Sequence, residues 1–166
     1  MCNNIYLSPH FKLSEFEASR KAEEHGIINV APPVVVENLR RLCEGCLEPL
    51  RKKLGLPIII TSGYRSKALN DIIVHAARKS QHMVGCAADF YVVGASRREL
   101  LVKAFRQIIL DEDIDYDQLI LYPSFIHVSY VSREKNRRKI ITANGHGTYC
   151  AVTRAQALTI SSTSRI

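Results

Sequence analysis

Apolar positions along this chain change rhythm near residue 56. Between Pro32-Pro33 and Gly55 they recur at steps of three or four (Val35, Leu39, Leu42, Cys46, Leu50), the spacing of one helix face. Gly45 and Pro49 fall inside that stretch and predict a bend or break in it. Upstream, Ser14-x-x-Glu17 has the form of a capping box, so a first helix is expected from Ser14 until Gly26 stops it. After Gly55 the rhythm shortens. The run PIIIT over 57–61 predicts a buried strand turned by Ser62-Gly63, and a short helix is expected over 67–75. A strand over 88–93 follows, and Ser96-x-x-Glu99 opens a helix to about residue 110. Beyond the acidic loop DEDIDYD, strands over 118–121 and 125–130 flank Tyr122-Pro123-Ser124 and predict a hairpin.

Helices come first and strands cluster later, which implies an α+β fold: one domain of helices packed on a small antiparallel sheet, not a repeating βαβ unit. The domain is placed at residues 8–142. From about residue 143 the chain is rich in Ser, Thr and Gly and weakly periodic, so 143–166 is expected to be a loosely held extension. A length of 166 residues suits one such core, and a monomer is expected.

Composition narrows the picture only a little. The chain is 46% hydrophobic and 23% charged, ordinary for a globular protein. No apolar run is long enough for a membrane span. The start, MCNNIYLSPHFKLSEF, lacks the basic and apolar regions of a signal peptide. A cytoplasmic protein as synthesised is expected, reaching a cell wall only by lysis or a dedicated export route. A net charge of +7 favours anionic partners without selecting one. The basic run REKNRRK over 133–139 has no stacking aromatics and no nucleic-acid motif, so it is taken as a solvated face. The five cysteines are Cys2, Cys43, Cys46, Cys86 and Cys150, an odd number in a chain without a secretion signal. Cys43 and Cys46 form a CxxC with no second pair, and are taken as idle thiols rather than a metal or redox pair.

The candidate chemistry lies in SQHMVGCAADF, 80–90, and in FIHVSY further on. Asp89 lies on the predicted strand, with His82 just before it across a turn that Gly85 allows. His127 lies on another strand. If those strands are neighbours, two imidazoles and a carboxylate converge from rigid backbone. That donor set suits Zn²⁺, with a fourth position left for water. Spacing alone leaves a second reading open, in which the two histidines are unrelated polar residues near a sheet edge. His10, His25, His75 and His146 are taken as surface or capping residues.

SGYRS, SQHxxGxAxDF, DQLI and IHVSY occur here in that order. Together with FKLSEF and PLRKKLG, they make residues 10–140 resemble the zinc D-alanyl-D-alanine carboxypeptidase-type family of peptidoglycan peptidases. That family shares its fold with the hedgehog signalling domain. The resemblance implies one Zn²⁺ held by His82, Asp89 and His127, and an arginine, Arg65, facing substrate. It further implies that Ser80 and Gln81 bind substrate or orient His82. The implied activity is hydrolysis of stem-peptide bonds in peptidoglycan, as a carboxypeptidase or an endopeptidase, with peptidoglycan or its stem peptides as partner and no specific nucleic acid.

One departure stands out. Relatives carry a Glu or Asp three or about six residues before the last histidine, where this chain has Ser124 and Leu121. Hydrolysis needs a group to take and return a proton. Asp117 and Tyr122 are the candidates, with Tyr130 a further hydrogen-bond donor. The alternative is a zinc-stabilised binding module of the same fold that has lost catalysis.

Overall fold

In the computed structural model, which describes residues 5–163, period-two alternation sorts the strand residues into two sets. A small pair, β1 (Tyr6–Ser8) and β2 (Phe11–Lys12), stands apart. The main sheet contains β3 (Ile58–Ser62), β4 (Ala87–Val92), β5 (Gln118–Leu121), β6 (Ile126–Ser129), β7 (Lys139–Ala143) and β8 (Tyr149–Ala151), in the order β3-β4-β6-β5-β7-β8. Ala88, Phe90 and Val92 of β4, Leu119 and Leu121 of β5, and Ile126 and Val128 of β6 enter the main core with the helices. The residues between them, Asp89, Ile120 and His127, line a cleft on the opposite face. One face of the sheet therefore holds the fold together and the other is free for chemistry. A fully buried side chain the size of Phe90 is worth about 1.5–3 kcal/mol.

This is the expected α+β domain, with two refinements to the sheet. β3 is an edge strand, buried at Ile58 but with Ile59 39% exposed, so PIIIT is half open rather than buried. β5 and β7 run parallel, while the other pairings in the main sheet are antiparallel. After β6 the chain passes around the start of β5, and acids there grip it. Asp115 accepts from Asn136 Nδ2 (2.8 Å) and Arg138 Nε (3.2 Å), and Asp117 accepts from Arg137 Nε (2.8 Å). The basic run is thus partly a clasp on the acidic loop.

The helical expectations shift in detail. The helix expected from Ser14 is two short ones, α1 (Leu13–Glu17) and α2 (Arg20–Glu24). Glu15, not Glu17, accepts from the Lys12 amide at the start of α1 (2.8 Å), and Ser19 caps α2 through the Ala22 amide (3.2 Å). The longer segment begins as α3 (Pro33–Leu42), widens into a π turn at Cys43–Leu47 and resumes as α4 (Glu48–Leu54). Pro49 explains this: it has no N–H to give the carbonyl of Gly45. That carbonyl instead accepts from the Asp115 amide (3.1 Å), tying the helix layer to the loop before β5. Cys43 and Cys46 are free thiols buried in this turn, and burial pushes both well above the usual range.

α5 (Lys67–Ile72) and α6 (Arg97–Leu110) lie where expected, although Ser96 makes no side-chain cap. The loose extension expected from residue 143 is instead structured over much of its length. β8 pairs with β7, and α7 (Arg154–Thr159) packs on α6 with Ala157 fully buried. Cys2 and residues 164–166 lie outside the described residues. Among the described residues no helix is long and apolar enough to cross a membrane.

Candidate metal centre and its cleft

His82 is held from several sides. It sits in a 3₁₀ turn, Gln81–Val84, where the Ser80 hydroxyl accepts from the His82 amide (3.4 Å). The turn ends at Gly85, whose φ of +72° favours glycine, and a Cβ there would lie 2.6 Å from the Val35 carbonyl oxygen. The His82 ring Nδ1 donates to the carbonyl of Gly63 (2.7 Å). Gly63 can bring that carbonyl in because it lies against α1, where a Cβ would meet Phe16 Cα at 2.5 Å. With Nδ1 donating, Nε2 is left with a lone pair.

The other two groups are set by sheet register. β4 and β6 are hydrogen-bonded neighbours, and Asp89 stands directly opposite His127. Adjacent strands thus bring together residues 38 positions apart in the chain. His82 Nε2, His127 Nδ1 and Asp89 Oδ1 form a triangle with sides of 3.2, 2.8 and 3.4 Å. Four ligands placed tetrahedrally about zinc at ~2.0–2.2 Å are spaced about 3.3–3.6 Å apart. The triangle comes close to one face of that tetrahedron. Burial pushes the His82 imidazolium down and so keeps a neutral ligand, against the pull of Asp89. Burial also works to raise the Asp89 carboxyl, but His82 and His127 outweigh it and hold it well below the usual carboxylate range. A buried carboxylate with two nitrogen donors at this spacing fits a divalent cation.

Arg65 lines the cleft and pairs with the same aspartate, donating from Nη2 to Asp89 Oδ2 (2.8 Å) and from Nε to Ser62 Oγ (2.9 Å). Arg65 thus stands in the cleft lining and in a salt bridge at once. Its amide also donates to the carbonyl of His82 (3.2 Å), locking the SGYRS turn to the metal turn. Ser80 and Gln81 line the cleft too, with their side chains engaged: Ser80 in the cap, Gln81 donating to Asp117 Oδ2 (2.9 Å).

The cleft has a volume of ≈ 990 Å³, and Lys79, Lys135 and Arg137 add cationic groups to its lining. Its acidic residues are Asp89 and Asp117. Asp117 is badly placed to act as a base. Oδ1 accepts from the Arg137 amide (2.9 Å) and Nε (2.8 Å), and Oδ2 from Gln81 and from Arg137 Nη2. Burial would raise this carboxyl, yet these donors bring it down to about 2. Tyr122 lines the cleft and its phenol is pushed up, first by burial and then by a hydrogen bond to Tyr149, so it keeps its proton and acts as a donor. Tyr130 is not among the cleft residues; its ring packs on Gly45 in the helix layer. His75 is exposed, as expected of a surface histidine, and it also lies on the cleft wall with a φ of +62°. Tyr149 comes from the segment expected to be loose.

A sequence-family model described as Peptidase M15 matches residues 9–129, well over half of the chain and the span that supplies all three candidate ligands. A search of curated proteins gives no significant match.

Proposed function

The chain belongs to the Peptidase M15 family, and on that premise we propose that it is a zinc metallopeptidase hydrolysing peptide bonds in peptidoglycan stem peptides. The observation that carries this reading is the triangle of His82, Asp89 and His127 ligand atoms beneath a cationic cleft. A single Zn²⁺ bound there would supply Lewis acidity and a water activated near neutral pH. The cationic lining suits a substrate with free carboxylates, as stem peptides have. Arg65 spends Nε and one Nη2 hydrogen on Ser62 and Asp89, and its remaining N–H groups serve to hold the scissile carbonyl oxygen. The Tyr122 hydroxyl donates to the Tyr149 hydroxyl (3.3 Å), and on turning from it would be a second donor to that oxygen or to the leaving amine.

The proton must still be carried from water to the leaving amine. Asp117 is saturated and Tyr122 stays protonated. Outside the triad the imidazole on the cleft wall is that of His75, a ring with one nitrogen that accepts and one that donates, and it is the candidate carrier. Gln81 and Ser80 support the turn that carries His82, so their part in substrate binding is indirect.

The commitment of both cleft carboxylates also favours a second reading, a zinc-held binding module without catalysis. One experiment separates the two. Protein loaded with one equivalent of zinc is incubated with isolated peptidoglycan and with a free stem pentapeptide, and products are read by mass spectrometry beside His82→Ala. Release of D-alanine, or an internal stem cut, that vanishes in the variant establishes the peptidase and names its bond. Stoichiometric zinc with both substrates intact drops the peptidase reading for these substrates in favour of the binding module.

A further inference from the structure

The family match ends at residue 129, yet one wall of the cleft is built from residues beyond it. Ile141 and Ala143 of β7, Gly145 and Gly147 of the following turn, and Tyr149 of β8 all line the cavity. Ile141 and Ala143 pack with Ile120 and Tyr122 in a small cluster separate from the main core. The turn is preformed. Asn144 Oδ1 accepts from the amides of His146 (2.9 Å) and Thr148 (3.1 Å), and Gly145 and Gly147 take φ of +80° and +91°. This turn lies over Pro123 of the β5–β6 connection, so two turns meet and close that end of the cleft.

Three rings run along this wall. Phe125 stacks on Tyr122 with centroids 4.2 Å apart and planes 14° apart. Tyr149 meets Tyr122 edge-on, at 6.2 Å and 89°, and their hydroxyls lie 3.3 Å apart. β8 itself contributes little to folding, since all three of its residues are exposed, and Tyr149 is 52% exposed. A half-exposed aromatic held in place over a cleft, on a strand whose residues are all exposed, has its use in what enters the cleft. Cationic Lys79, Lys135 and Arg137 belong to the same lining.

We propose that the β7–β8 hairpin is the substrate-selecting wall of this cleft, with Tyr149 and Tyr122 forming an aromatic ledge that binds a short carboxylate-bearing peptide. The peptide backbone lies along the rings while its carboxylates pair with the cationic lining. Tyr149 acts on binding rather than on the chemical step. The inference rests on the metallopeptidase reading for the identity of the peptide, but not for the existence of the ledge.

The test has two arms. In the first, zinc-loaded wild type, Tyr149→Ala and Tyr149→Phe are compared on the stem pentapeptide, with zinc content and thermal midpoint checked for each. Tyr149→Ala raises KM about three- to tenfold with kcat little changed, and Tyr149→Phe, which keeps the ring, stays close to wild type. An unchanged KM, or a loss confined to kcat, overturns the proposal while leaving the peptidase intact. The second arm needs no turnover. The chain has no tryptophan, so Tyr149→Trp places a single indole reporter on the ledge, with Tyr6→Trp on β1 as control. A saturable change in the indole emission of Tyr149→Trp on adding the pentapeptide, absent from the control, supports the ledge even if no bond is cut. No change in either variant overturns it.

Discussion

Asp89 and Asp117 are both buried carboxylates on one cleft, each paired with an arginine, and they are built to opposite purposes. Asp117 has every acceptor position filled, by Gln81 and by the side chain and amide of Arg137. Asp89 gives Oδ2 to Arg65 and turns Oδ1 toward two imidazole nitrogens, one of which, on His82, has no proton to offer. The first site already contains its cation. The second is arranged around the place where one would go. What separates a structural carboxylate from a candidate metal ligand here is the supply of donors around it, since residue type and burial are the same.

The largest test of that contrast is metal content. His82→Ala, measured by elemental analysis after gel filtration, is expected to lose stoichiometric zinc and all peptidase activity. Asp117→Asn is expected to keep its zinc, with any loss of affinity within the ~10–100-fold typical of outer partners. If the two variants lose metal equally, the distinction between the aspartates falls. Because Asp117 is withdrawn from proton transfer, His75→Gln is expected to lower kcat by about 10²–10⁴-fold, with zinc content unchanged. A kcat within a factor of two of wild type removes His75 from the mechanism.

Smaller effects sharpen the comparison further. Arg65→Ala removes the donor to Asp89 Oδ2 and leaves the two imidazoles on Oδ1, so urea denaturation of metal-free protein should show a loss of about 1.5–3 kcal/mol. The loss should shrink when zinc is present, because zinc replaces the missing charge. The smallest effect is in acid. The Asp117 carboxyl is lowered from 3.8 to about 2 on folding, so its contribution is present in full above about pH 4 and disappears as pH falls through 2. Asp117→Asn should therefore cost up to about 2 kcal/mol at neutral pH and converge with wild type near pH 2. Thermal midpoints across that range read it directly.

Much of the site was legible beforehand for a physical reason. Asp89 and His127 were both expected on strands, and residues on paired strands take their geometry from register, which sets these two opposite each other. The turn at His82 was equally readable, because Gly85 marks it. Less visible were features that depend on pairing between distant segments. Asp115 belonged to an acidic loop with no partner assigned, Asp117 was taken as a candidate base, and 133–139 was taken as a solvated basic face. Only the passage of the chain around β5 makes each the other's partner. The break after Glu17 hid because a competing cap, Ser19, lay inside what resembled one helix. The strand β8 gave no signal because none of its residues is buried, and α7 is a short helix whose buried residue is Ala157.

The wall built by β7 and β8 follows the three candidate ligands along the chain, and that sets an order in time. A nascent chain exposes His82, Asp89 and His127 before it reaches Tyr149, by roughly one to four seconds at ordinary elongation rates. For that interval the metal ligands can assemble while the cleft lacks its far wall. The protein would thus meet its cation before it acquires selectivity for what the cation acts upon.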